Sequence, residues 1–137
     1  MRIAVALALV LTLLAACAPL ADTPKPVELN GTDWTLAAIS GKAPVAGSNV
    51  TLKFEQGNVS GSGGCNQYNG SYTTSGSTLT FGPIAATKRA CLERDKNAQE
   101  TAYFEALSKV VAYEVSGDRL KLRNAGGTTL LEYERAR

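Results

Sequence analysis

Histidine is absent from all 137 residues. That excludes every scheme in which an imidazole takes a proton from a serine or cysteine nucleophile, and every zinc site built on imidazole. No Cys-x-x-Cys spacing occurs among the three cysteines, Cys17, Cys65 and Cys91. Neither sign of charge dominates: 14 Lys and Arg stand against 12 Asp and Glu, a net of +2. A nucleic-acid binder would show a strong basic excess, so no nucleic-acid partner is expected. No apolar run reaches the ~20 residues that a helix needs to cross a bilayer. The longest, Ile3 to Leu14, is interrupted by Thr12 and then stops.

What is there begins with that short run. Arg2 precedes it, and Ala15-Ala16-Cys17 closes it. A positive residue, an apolar stretch and small residues before a cut make a secretory signal. A cysteine directly after the cut resembles the lipobox of bacterial lipoproteins. The resemblance implies that the Cys17 thiol is acylated and holds the mature chain on a membrane. An uncleaved membrane anchor is the alternative, against which the length of the run and its small-residue end both argue. Ala18 follows the cysteine, where aspartate marks inner-membrane retention in proteobacterial lipoproteins. The expected location is therefore the bacterial cell envelope, on the outer membrane facing the periplasm. Residues 1–16 read as signal peptide, 17–27 as a lipidated tether and 28–135 as one domain. Ala18 to Val27 carries three prolines and little to bury. Extended, it reaches at most about 35 Å, which keeps the domain near the membrane.

With Cys17 acylated, Cys65 and Cys91 remain as an even pair in an exported chain. An oxidising compartment favours a disulfide between them. It would close a loop of about 27 residues, for roughly 3–4 kcal/mol in the chain-entropy model. A metal or redox pair is the alternative, without the spacing or the histidines that such sites use.

The domain pattern is mostly period two. Trp34, Leu36 and Ala38, then Val50, Leu52 and Phe54, then Leu79 and Phe81, then Leu120 and Leu122 alternate with polar or small residues. That describes antiparallel strands with one buried face. Turn signals fall between them at Gln56-Gly57, Ser75-Gly76-Ser77, Ser116-Gly117-Asp118 and Asn124 to Gly127. Tyr72-x-x-Ser75-Gly76-x-x-Leu79-x-Phe81 is echoed by Tyr113-x-x-Ser116-Gly117-x-x-Leu120-x-Leu122. The echo predicts two similar hairpins, too few copies for a solenoid. Arg119, Lys121 and Arg123 would share a solvated outer face. Asp95 to about Val110 breaks the period. Asp95 is placed to cap a helix, Ala98, Ala102 and Ala106 favour one, and Thr101, Phe104, Leu107 and Val111 would form its buried stripe. The expected fold is α+β but mostly β: a strongly curved antiparallel sheet, or a partly open barrel of hairpins, with one helix packed on it.

The densest motif is Ser60 to Tyr72, SGSGGCNQYNGSY. Its glycines suggest a phosphate loop, but no Gly-Lys-Ser/Thr opens a helix after it. Gly31-Thr32-x-Trp34, Gly63-Gly64-Cys65-Asn66-x-Tyr68-Asn69-Gly70-x-Tyr72, Leu79 to Cys91 and Val115 to Leu122 occur in that order. Together they resemble the META domain of HslJ-like heat-shock lipoproteins, over about Glu28 to Tyr133. Leu92 departs from the pattern where many relatives have proline, and Lys88-Arg89 where an Arg-Met pair is common. The resemblance implies a curved antiparallel sheet with a helix and an envelope protein linked to stress or antibiotic tolerance. It implies no agreed enzymatic activity. It also allows a relation to the lipoproteins that pilot secretins, with an apolar ligand or protein partner.

Catalytic candidates are few. Ser108 and Lys109 are adjacent on the expected helix, so their side chains diverge. Glu93 and Asp95 lie between Arg94 and Lys96 and read as a solvated helix start. No catalytic residue, metal ligand or cofactor is assigned, and a binding or assembly module is the expected class. Trp34, Tyr68, Tyr72, Tyr103 and Phe104 are the aromatic candidates for a binding surface, with Trp34 and Phe104 favoured as core. Asn66, Tyr68, Asn69 and Tyr72 form the candidate binding loop, Tyr68 being its best surface residue. The expected partners are the membrane, through the lipid on Cys17, and an envelope protein or hydrophobic ligand.

Overall fold

The computed structural model describes residues 27–137. The signal segment, Cys17 and the tether as far as residue 26 lie outside the described residues. Three strands open the domain: β1 (Thr32–Ile39), β2 (Thr51–Glu55) and β3 (Asn58–Ser62). β4 (Gln67–Ser75), β5 (Thr78–Phe81) and the short β6 (Ala85–Ala86) follow. A helix, α1 (Arg94–Ser108), precedes β7 (Ala112–Ser116), β8 (Arg119–Arg123) and β9 (Thr129–Arg135).

The alternation read from the sequence places Trp34, Leu36, Leu52, Phe54, Leu79, Leu120 and Leu122 in one interior. All pairings are antiparallel, in the order β3-β2-β1-β9-β8-β7-β5-β4, and β4 pairs back onto β3. The result is a closed barrel of eight strands with one helix packed on it. The expected mostly-β barrel of hairpins with one packed helix is therefore found, its sheet closed by the β3–β4 pairing. β6 is a continuation of β5 along the same edge of β4: Tyr72 faces Phe81, and Asn69 faces Ala85 after the interruption at Gly82 to Ile84.

The two echoed segments form hairpins of equal register. Tyr72 faces Phe81 and Ser75 faces Thr78; Tyr113 faces Leu122 and Ser116 faces Arg119. Gly76 and Gly117 take φ of 57° and 58°, the positive value that the first central residue of a type II′ turn requires. The hairpins meet at one register position, Thr78 with Ala112. Backbone bonds from Leu79 N to Val111 O and from Tyr113 N to Ser77 O flank it. Above Leu79 the strands part. Arg119, Lys121 and Arg123 lie on the outer face, where Arg119 and Lys121 pair in register with Glu134 and Glu132, and Arg123 bonds Glu114.

Each end of the barrel is crossed by chain. At one end Tyr113 Oη donates to Val27 O at 3.1 Å, and Gly31 N donates to Phe54 O at 2.8 Å. β7 and β2 stand on opposite walls in the strand order, and Leu29 is buried between them. At the other end α1 spans from β4 to β9. The helix starts at Arg94, with Glu93 at the N-cap and no side-chain cap. Asp95 therefore sits in the first turn, where its charge favours the helix dipole, and does not cap it. The buried stripe includes Leu107 as expected but is otherwise different: Glu100, Tyr103 and Ala106 face inward with it. Thr101 is exposed, Phe104 is only partly buried and Val111 lies beyond the helix. Polar partners on the strands, which hydrophobic spacing does not register, set the inward face.

Candidate functional site

The Gly-Cys-Asn motif is built around the Glu100 carboxylate. Glu100 Oε2 accepts from the backbone N–H groups of Cys65 at 2.9 Å and Asn66 at 2.7 Å, and Oε1 accepts from Asn66 Nδ2. Asn66 Oδ1 accepts from Thr87 Oγ1 at 2.8 Å and Arg89 N at 2.6 Å, while Nδ2 also donates to Arg89 O. The Cys65–Cys91 disulfide, with Cα atoms 5.6 Å apart, fastens the same two segments. Asn66 and Glu100 are both buried, and a buried polar group is tolerable only when bonded in this way. The motif is thus a clasp joining the β3–β4 connection, the chain before α1, and the helix.

Beneath the clasp runs a chain of phenols. Tyr133 Oη donates to Tyr103 Oη at 3.1 Å, Tyr103 to Tyr68 at 2.8 Å, and Tyr68 to Thr51 O at 2.8 Å. Gly61 makes room: a Cβ there would stand 2.1 Å from Thr51 O. Burial pushes all three phenols well above the ordinary tyrosine pKa, so they stay neutral. These groups hold the helix to the barrel.

Of the four residues expected to form a binding loop, two are therefore interior. Tyr68, Asn69 and Tyr72 lie on strand β4, and only Asn66 belongs to the connection before it. Tyr68, expected at the surface, is 3% exposed, because period two turns it inward along with Tyr72. The Tyr72 ring is half-buried and meets Phe54 edge-on at 4.9 Å. Asn69 alone of the four is exposed, on an outer cleft of about 980 Å³ with Lys53, Ser60 and Gln67. Trp34 is core as expected, its Nε1 donating to Thr32 Oγ1 at 2.7 Å. Among the described residues no three His, Cys, Asp or Glu side chains gather closely enough to hold a metal ion.

A feature the sequence reading did not place is a groove of about 770 Å³ between the C-terminal half of α1 and the Thr80-to-Ala86 edge. Phe81, Ile84, Phe104, Leu107, Val110 and Val111 line it, and no charged residue does. It exists because β5 and β7 part above Leu79 and the helix fills the gap incompletely. Leu107 is buried as its place in the expected stripe requires, whereas Phe104, expected in the same stripe, is only partly buried and its open flank is a wall of this groove. The signal was Glu100, Tyr103 and Leu107 at helical spacing, which defines a different inward face and turns Phe104 toward the opening.

Comparison with known proteins agrees with this architecture. An NMR structure of a protein from Burkholderia xenovorans is similar, at 29% identity and a TM-score of 0.65, over 88% of this chain and 96% of that one. A second NMR structure is similar in fold at 24% identity and a TM-score of 0.63, over 77% and 90%. No curated protein matches the chain. The META domain family model matches residues 27–137, the whole barrel with its helix, and the chain belongs to that family.

Proposed function

We propose that this protein is a bacterial envelope lipoprotein. Acylated Cys17 anchors it to the outer membrane, and its META domain is a binding or assembly module without chemistry of its own, acting in envelope stress or antibiotic tolerance. The observation that carries the binding role is the groove, an apolar concavity within the ordinary size range of ligand sites and without a charged lining. The clasp and the phenol chain support a non-catalytic reading, because their polar groups are engaged with one another and held away from the groove. The lipobox-like Leu14 to Cys17 supports the anchor.

The test uses Ile84→Ser and Val111→Ser on the groove, assayed for thermal stability and for survival of envelope stress in cells lacking the native copy. Survival lost with the melting temperature kept is the expected result. Survival unaffected by both changes would sink the binding role. The anchor is tested separately by mass spectrometry of the mature N-terminus, where acylated Cys17 is expected and an unmodified residue would refute it.

A further inference from the structure

We infer that the groove between α1 and the Thr80-to-Ala86 edge takes an extended peptide, which adds to that edge as a strand. This deepens the reading above and rests on it. The strand ladder decides the chemistry. Gly82 N donates to Ser71 O at 2.9 Å, on the β4 side. Tyr72 and Phe81, the next pair, are therefore a non-hydrogen-bonded pair, and the Phe81 N–H and C=O point away from β4. Thr87 N donates to Gln67 O at 3.0 Å, which turns the N–H and C=O of Ala86 the same way. Among the described residues none of these four groups has a hydrogen-bond partner, and both residues line the groove.

The opposite wall cannot supply partners. Leu79 N is taken by Val111 O at 3.0 Å, and beyond it Val110 and Lys109 turn their N–H groups back onto Leu107 O and Ala106 O. An apolar chain laid in the groove would strip water from the four edge groups and give nothing in return, whereas a peptide bonds them. A strand edge that faces a helix across an apolar groove lets main-chain bonds supply affinity and alternate side chains supply specificity. Residues directly opposite in a ladder share a face. Phe81 and Ala86 face Tyr72 and Tyr68, on the inward side, so peptide residues opposite them point at Phe104, Leu107 and Val110.

Register and charge narrow the sequence of the peptide. Four residue steps of β4, from Tyr72 to Tyr68, match five of the edge, from Phe81 to Ala86, so the edge bulges by one residue between them. A regular strand therefore meets Phe81 and Ala86 with residues four apart. Both must be apolar, because no charged residue lines the groove. Lys88 and Arg89 follow at the Ala86 end, exposed and without an acidic partner among the described residues. A peptide adding in the antiparallel sense of the whole barrel enters at that end. The occupant is then an extended segment with an acidic residue ahead of two apolar residues four apart. The bulge and Pro83, which has no N–H, break the edge and keep two copies from zipping together along it.

The experiment uses the full mature protein, its N-terminal modification intact, in nanodiscs of phosphatidylethanolamine. A phage library of short random peptides is selected on it, with empty nanodiscs removing the background. Enriched peptides are expected to carry Asp or Glu ahead of two apolar residues four apart. With a synthetic copy of the best one at saturation, amide exchange at Phe81 and Ala86 should slow by at least about tenfold. N-methylation of the peptide residue opposite Phe81 should weaken Kd by about tenfold, the loss of one hydrogen bond in an apolar setting. Lys88→Gln with Arg89→Gln should weaken it less, by about threefold, flatten its salt dependence and keep the melting temperature. No enrichment over empty nanodiscs overturns the inference, as does a peptide that binds while both amides exchange as before or that tolerates the N-methyl group. Two other occupants would also overturn it: a second copy, seen as concentration-dependent protection of both amides without peptide, and a lipid chain, seen as contacts from acyl protons to Ile84 and Phe104 with both amides still open. Survival lost in Ile84→Ser and Val111→Ser cells without edge protection by any peptide would keep the binding role and refute the strand. Edge protection with normal survival of both variants would do the reverse.

Discussion

The β4–β5 and β7–β8 hairpins share a sequence pattern, a turn and a register, yet their apolar positions have different fates. In the second, Tyr113, Leu120 and Leu122 are all buried. In the first, Leu79 is buried, but Tyr72 and Phe81 are only partly so. The difference lies in the neighbours. β8 is paired along its length by β9, from Arg119 with Glu134 to Arg123 with Thr129. β5 meets β7 only at Thr78. Local sequence thus makes the hairpin, while the strand beyond it decides whether a side chain becomes core or the wall of a groove.

The largest test of how the two sides are held together is alkaline pH. Tyr68 on the first side and Tyr133 beside the second are joined through Tyr103, and burial raises all three pKa values. Below the unfolded tyrosine pKa, near 10, their contribution is fully present. Above it the unfolded chain loses protons that the folded chain keeps, so stability falls as pH rises. The three together should remove about 4 kcal/mol per pH unit. Urea unfolding at a series of pH values measures this slope, and Tyr133→Phe should lower it by about 1.4 kcal/mol per pH unit, the share of one phenol. An unchanged slope in that variant would contradict the buried position of its phenol.

The disulfide acts on the first side alone, joining the approach to β4 with the segment after β6. Replacing Cys65 and Cys91 by alanine should cost about 3–4 kcal/mol, read from the denaturant midpoint. Amide exchange should then quicken at residues 82–91 before it quickens in β8. Equal acceleration in both would deny the asymmetry.

Matched positions sharpen the comparison further. Leu122→Ala should destabilise by about 2–5 kcal/mol, the ordinary range for a buried leucine. Phe81→Ala, at the corresponding place in the first hairpin, should cost about 1–2 kcal/mol, since part of its ring already faces the groove. Phe81 proving the costlier of the two would reverse the assignment of core and wall. The smallest effect is the one expected to be equal. Gly76 and Gly117 have open space around them and the same positive φ. Alanine at either should cost about 1 kcal/mol through backbone strain alone. Unequal values would show that the turns are not independent of their surroundings.

The echo, the period-two strands and the turns were legible because each is a local property of a few residues. Trp34 as core followed from the same alternation. Two strands were less visible. β3 has the small residues Ser60, Gly61 and Ser62, and β9 has Glu132 and Glu134 answering the basic face of β8. Their identity depends on what lies across from them. The site was least legible. Glu100 reads as a solvated helix residue until Cys65 and Asn66 are folded against it, and Tyr68 reads as loop until Thr51 and Tyr103 meet its hydroxyl. The groove is a gap between elements, and no residue pattern encodes a gap directly.

The segment that crosses the barrel end gives the molecule a mechanical polarity. A load applied at residue 27 reaches the Tyr113–Val27 bond and the Leu29 plug before it reaches any strand. β1 comes next, laced to β2 on one side and to β9 on the other. Those ladders meet the load in shear, many bonds at once, whereas the plug peels one contact at a time. A modest pull would thus uncork that end and leave the barrel closed. The entry segment would yield like a fuse, and the eight strands would keep their shape.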